Sequence, residues 1–144
     1  MRTFLAFFLG TFLSLTSDVY AKDASPPLAP TSPLQISVNN ETLKEESNQY
    51  YYINFGSVRV HWSRYENVIL RNTGAYPVEI RGVFITGSAF YAWSNCPRWL
   101  QPRETCATRV EFRPWYDGHF AGRLRFAFSY DNIYVDLYGW GVRW

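Results

Sequence analysis

The chain has 144 residues, a formal net charge of +2, two cysteines and an aromatic content of 19%. Once a leader is set aside, that length suits one domain and not two. Arginine greatly outnumbers lysine but is scattered along alternating segments, which does not point to nucleic acid, and six Trp with eleven Tyr exceed what a core of this size needs.

Residues 1–21 read as a signal peptide. Arg2 supplies the charged start, Phe4 to Leu15 form an apolar run broken by Gly10, Thr11 and Ser14, and Val19-Tyr20-Ala21 fits a small-residue cleavage site. The run is short for a membrane span and Asp18 follows it closely. Membrane association beyond the signal peptide is therefore not expected, with an uncleaved anchor as the alternative. No cysteine lies at the cleavage point, which argues against a lipoprotein.

Export decides how Cys96 and Cys106 are read. Two thiols ten positions apart in an oxidising compartment most simply form one disulfide, and closing so short a loop stabilises by ~2–3 kcal/mol in the chain-entropy description. A metal site would need further ligands, and His61 and His119 are isolated, so neither a metal nor another cofactor is expected.

Removing 21 residues from 144 leaves 123. Lys22 to Pro33 holds four prolines and little to bury, a Pro-rich flexible leader over 22–33. The domain then spans 34–144. Leu34 to Val38 alternates as a first strand, Asn39 to Asn48 is polar and loop-like, and Tyr50 to Phe55 resumes strand character until Gly56-Ser57 interrupts it. Val58 to Val60 leads toward His61-Trp62. Val68 and Leu70 share one face of the next strand, and Asn72-Thr73-Gly74 is a turn. Val78 and Ile80 open a strand in which Gly82 marks a bulge before Val83 and Ile85.

Beyond Gly87 and Phe90, the cysteine loop carries Pro97 and Pro102, and Val110 and Phe112 alternate with Arg109, Glu111 and Arg113. Asp117-Gly118 is a turn, and Leu124, Phe126, Phe128 and Tyr130 alternate with polar or small residues. Asp131-Asn132 reads as a two-residue hairpin loop, and Ile133, Val135 and Leu137 point inward on the return strand. No stretch of the mature chain has helical periodicity over three turns. Seven or eight short strands at roughly ten-residue spacing imply an all-β, immunoglobulin-like sandwich of 7–8 antiparallel strands with one disulfide.

The ordered set Phe55-Gly56-Ser57-Val58, Val68-x-Leu70-x-Asn72-Thr73-Gly74, Pro77-Val78-x-Ile80 and Gly87-x-x-Phe90 resembles the ASH/MSP-type immunoglobulin-like domains, which include the bacterial choice-of-anchor D and HYDIN-like modules. The resemblance continues through Cys96, Leu100-x-Pro102, Cys106-x-x-x-Val110-x-Phe112-x-Pro114, Gly118, Leu124 and Leu137-x-Gly139-x-Gly141. It implies a Cys96–Cys106 disulfide and a binding or scaffolding role without catalysis, and it transfers no active-site residue. Two departures stand out. Arg103 follows Pro102 where the family usually has Gly, and His61-Trp62 end the strand where Gly is common.

No Gly-x-Ser-x-Gly or phosphate-cradling loop occurs, and neither His has a nucleophile at a recognisable spacing, so no catalytic residue is assigned. Asp117, Asp131 and Asp136 fit turn chemistry better than a cation site. The candidate binding residues are Trp62, Trp93, Trp99, Trp115, Trp140 and Trp144. Trp62, Trp93, Trp99 and Trp115 fall at strand ends or loops, where rings serve interfaces and stack on sugars, or else cap the sandwich. Trp93 and Trp99 flank Cys96 and are the rings most suited to packing on the disulfide.

The expected function is a secreted or periplasmic non-enzymatic interaction module that binds another envelope or extracellular protein through loop aromatics or a sheet edge. The C-terminal strand, with its alternating Tyr138, Trp140, Val142 and Trp144, is the edge favoured for pairing with a partner. The alternatives are a carbohydrate-binding module using Trp62, Trp99 or Trp115 on a cell-wall or surface glycan, and a small outer-membrane β-barrel, whose strands also end in aromatics.

Overall fold

The computed structural model describes residues 34–38, 41–42, 50–129 and 131–144. The segments read as signal peptide and Pro-rich leader lie outside the described residues. The strands are β1 Leu34–Val38, β2 Glu41–Thr42, β3 Tyr50–Arg59, β4 Arg64–Asn72, β5 Val78–Thr86, β6 Phe90–Ser94, β7 Trp99–Leu100, β8 Thr105–Phe112, β9 Gly118–Phe128 and β10 Asn132–Val142. They form two five-stranded sheets, ordered β2-β1-β4-β8-β6 and β3-β10-β9-β5-β7. Eight of the ten described strands have five residues or more, which is the sandwich that the alternating pattern predicts.

The core follows from that alternation. Ile133, Val135 and Leu137 of β10 and Leu124, Phe126 and Phe128 of β9 are buried from one sheet, Val68, Leu70, Val110 and Phe112 from the other. At one end of this core Phe55, Phe90, Phe112 and Phe120 interlock, with neighbouring ring centroids 5.0–5.7 Å apart. Gly139 takes an inward position where the ring of Phe112 fills the space a Cβ would need.

Ladder pairing is antiparallel with one exception. β10 runs parallel to β3, from Tyr134 opposite Tyr50 to Val142 opposite Arg59. A parallel partner requires a long crossover, and here the chain between β3 and β10 builds most of the other sheet before returning. The consequence corrects one expectation. The C-terminal strand is not an edge, because β3 and β9 pair with it on its two sides. The open edges of the described sheets are β2, β6, β3 and β7. The outer-membrane barrel is also overturned, since the strands make two open sheets and not one closed cylinder.

Local features refine the reading. Gly82 sits at a register shift between β5 and β9, the expected bulge. Gly56 does not end its strand. It adopts φ +69° within β3, and Asn54 Oδ1 accepts its N–H at 2.8 Å, while the pairing with β10 shifts between Tyr138 and Trp140. The last hairpin turns earlier than Asp131-Asn132. Phe128 N–H donates to Asp131 O at 2.9 Å and Asn132 already pairs with Ala127. Ile133 then lies opposite Phe126, so the shifted register still keeps both inward.

Candidate binding surfaces

Cys96 and Cys106 are joined, with Cα atoms 4.8 Å apart. The bond closes an excursion from one sheet to the other. The chain leaves β6, forms β7 against Val78 and Glu79 of β5, and returns as β8. Asn72 anchors this excursion from within the core. Its Nδ2 donates to Leu100 O at 3.0 Å and Tyr76 O at 2.7 Å, and its Oδ1 accepts the N–H of Gly74 at 2.9 Å. Each polar atom of a fully buried amide is thereby satisfied.

Cys106 is buried in the hydrophobic core and Cys96 packs against the same core. Trp93 and Trp99 nevertheless stay about half exposed, at 56% and 50%. Trp99 stands beside Glu79 on β7, and Trp93 stands opposite Arg109 on β6. Both therefore offer ring surface to solvent beside the cross-linked loop.

Trp62, Trp115 and Trp144 come from three separate segments that main-chain hydrogen bonds join at the opposite end. Val60 N–H donates to Val142 O at 3.0 Å and His61 N–H to Pro114 O at 2.8 Å, which ties the segment after β3 to those after β10 and β8. Trp62 and Trp144 line one concavity with Arg59 and Arg64. The Arg59 guanidinium lies 5.6 Å from the Trp62 ring centroid. Trp115 stands edge-on to Tyr116 at 4.5 Å, and Arg143 pairs with Asp117 at 3.4 Å. His61, one of the family departures, holds φ +68° at this junction.

Trp140 belongs to a third surface, the outer face of β3, β10, β9 and β5. Tyr50 lies opposite Tyr134, which lies opposite Arg125, which lies opposite Phe84. The next row outward-facing is Tyr52, Asp136, Arg123 and Thr86, and Trp140 pairs with His119 beyond Tyr138. Tyr50 and Tyr134 stack at 5.1 Å, Arg125 covers Phe84 at 4.4 Å, and His119 sits 5.2 Å from Trp140. Arg123 reaches both oxygens of Asp136, at 2.5 and 3.2 Å, and this hydrogen bond pushes the guanidinium pKa up.

The tyrosines and Phe84 of this face were not among the sequence candidates. Their one signal was alternation on β3 and β10, which ordinary strand residues share. Every large hydrophobic side chain exposed among the described residues is aromatic, while the leucines, isoleucines and valines are buried or partly buried. The exposed rings are thus not overflow from a filled core. Among the described residues no group of three or more His, Cys, Asp or Glu could hold a metal ion, and no helix is long and apolar enough to cross a membrane.

No family model matches the chain, and no curated protein matches it. Solved structures do. A protein of unknown function from Porphyromonas gingivalis W83 aligns at TM-score 0.56 and 13% identity, covering 81% of this chain and 51% of that one. The secreted serine protease VesC from Vibrio cholerae aligns at TM-score 0.51 and 16% identity, covering 61% and 21%. The ASH / PapD-like domain 7 of human CEP192 aligns at TM-score 0.48 and 13% identity, covering 84% and 96%. The chain spans about half of the first protein and about a fifth of the second. At these identities the likeness is one of fold, an immunoglobulin-like β-sandwich that also occurs as part of larger chains.

Proposed function

We propose that this domain is an exported, non-catalytic interaction module of the ASH/MSP type that docks another envelope protein through the aromatic end formed by Trp62, Trp115 and Trp144. The observation that carries the reading is the joining of their three segments. Main-chain hydrogen bonds hold the loop or terminal segments together, and Trp62 and Trp144 share one concavity with Arg59 and Arg64. Trp, Tyr and Arg are the residues that dominate protein–protein hot spots. Export is supported by the disulfide and by the signal-like segment that precedes the domain. Membership of the ASH/MSP type is supported by the ordered motifs and by where they fall: Phe55 in the aromatic core, Asn72 at the buried turn, and the cysteine pair across the β7 excursion.

The test is site-specific photo-crosslinking in the envelope, with the probe placed at Ser63 beside Trp62. A discrete crosslinked protein band is expected from the wild-type chain and is lost in Trp62→Ala/Trp144→Ala at equal abundance and unchanged circular dichroism. A band of undiminished intensity in that variant removes the end cluster from the interface.

A further inference from the structure

The outer face carries a groove distinct from the tryptophan end. Its volume is about 430 Å³, within the range of roughly 300–1,000 Å³ usual for small-ligand sites. It lies between β3 and β10, two hydrogen-bonded strands, so its walls are set by sheet register and not by loops. Tyr52 and Asn54 border it from β3, Asp136, Tyr138 and Trp140 from β10, and His119 from β9.

The chemistry of that lining is selective. No aliphatic side chain faces the groove, so an acyl chain or a Leu- or Val-rich peptide would find few partners for its own surface. Rings alternate instead with amide, carboxylate and imidazole groups. Trp140 and Tyr52 are each about half exposed, and Tyr138 and Trp140 stand two residues apart on one face of β10, about 7 Å along the strand. Asn54 accepts the Gly56 N–H through Oδ1, which leaves its Nδ2 as a donor. The Asp136 carboxylate is already balanced by the two-pronged contact from Arg123, so the groove gains little from a charged ligand. A ligand matching this pattern has apolar C–H faces to lie on rings and hydroxyl groups at its rim to meet polar side chains, and it carries no net charge.

We propose that the groove between β3 and β10 is a binding site for a neutral oligosaccharide, with Trp140, Tyr138 and Tyr52 as stacking platforms and Asn54 and Asp136 as hydrogen-bonding partners. It is independent of the protein-docking end. One domain would then hold a glycan on its face while its end meets a protein.

The test is a calorimetric titration of the full chain with chitohexaose, cellohexaose and maltohexaose. Saturable binding to at least one is expected, persisting at raised ionic strength because no charge is recruited. Trp140→Ala and Tyr52→Ala should each weaken it roughly tenfold or more through loss of a stacking ring. Trp62→Ala should leave it unchanged, which separates this site from the docking end. Tyr52 lies on an edge strand, so its variant reads the groove even where a change in β10 disturbs folding. Absence of saturable binding to all three sugars, or wild-type affinity in both groove variants, overturns the proposal, as does binding that vanishes with added salt.

Discussion

The main-chain carbonyl of Asn72 accepts a hydrogen bond from the N–H of Arg103 at 2.7 Å, and Arg103 makes it from the left-handed region at φ +67°. The contact joins the turn after β4 to the disulfide-closed loop. The position holds a positive φ, which a side chain resists and glycine adopts freely.

Replacing Arg103 by Gly should therefore stabilise the domain. The left-handed conformation costs a non-glycine residue roughly 1–2 kcal/mol, and the added freedom of glycine in the unfolded chain offsets roughly 0.5–1 kcal/mol of that. A net gain of about 0.5–1 kcal/mol is expected for Arg103→Gly, seen as a rise of a few degrees in Tm. An unchanged or lower Tm would show that the Arg103 side chain makes contacts worth more than the strain.

Asn72 itself should be far less tolerant. Asn72→Ala leaves the carbonyls of Leu100 and Tyr76 and the N–H of Gly74 without their partner inside the fold. A loss of about 2–4 kcal/mol is expected, since each buried group so stranded costs roughly 1–3 kcal/mol and some regain water. Urea titration of the purified domain measures it, and a change below 1 kcal/mol would mean that solvent reaches this turn freely.

Gly139 offers a packing test at the other end of the core. Gly139→Ala sets a methyl group against the Phe112 ring, within the cluster that includes Phe55 and Phe120. Overpacking of this kind costs about 1–3 kcal/mol. A paired change, Gly139→Ala with Phe112→Leu, should restore part of that loss in chemical denaturation, and a strictly additive pair would argue against direct contact.

Removal of the disulfide should lower stability by about 2–3 kcal/mol while leaving the sandwich intact, because the closed loop is short and both sheets pair without it. Cys96→Ser/Cys106→Ser read by denaturation and far-UV circular dichroism gives the comparison. Non-reducing mass spectrometry of the purified protein checks the bond itself, and two free thiols there would contradict it.

Much of this architecture was legible before any coordinates. The period-two pattern of Leu124, Phe126, Phe128 and of Ile133, Val135, Leu137 names the inward residues directly, because one buried face forces alternation. The disulfide was legible from compartment and spacing. What stayed hidden depends on pairing between distant segments. Tyr50 meets Tyr134, 84 positions along the chain by their numbers, and no local pattern announces that neighbour. For the same reason the C-terminal strand read as an edge, although β3 covers its second side. The tryptophans drew notice by residue type and by their places at strand ends, in loops and along the C-terminal strand, whereas the tyrosines of the groove looked like ordinary strand formers. The strained His61 and Arg103 were visible as departures from a familiar motif, with the backbone cause unseen.

The placement of β10 also bears on how the domain is made. The second sheet has its last strand at its interior, between β3 and β9, so it cannot close until residues 132–142 have emerged. Chain synthesised up to Phe128 has β3 without its ladder partner and the Phe55 cluster without the backbone at Gly139 that covers Phe112. Such a polypeptide lacks the strand that joins β3 to β9. Non-local parallel closure is intrinsically slow, so the β3–β10 ladder, and with it the surface formed by Tyr52, Asn54, Tyr138 and Trp140, is the last part of this sheet to form.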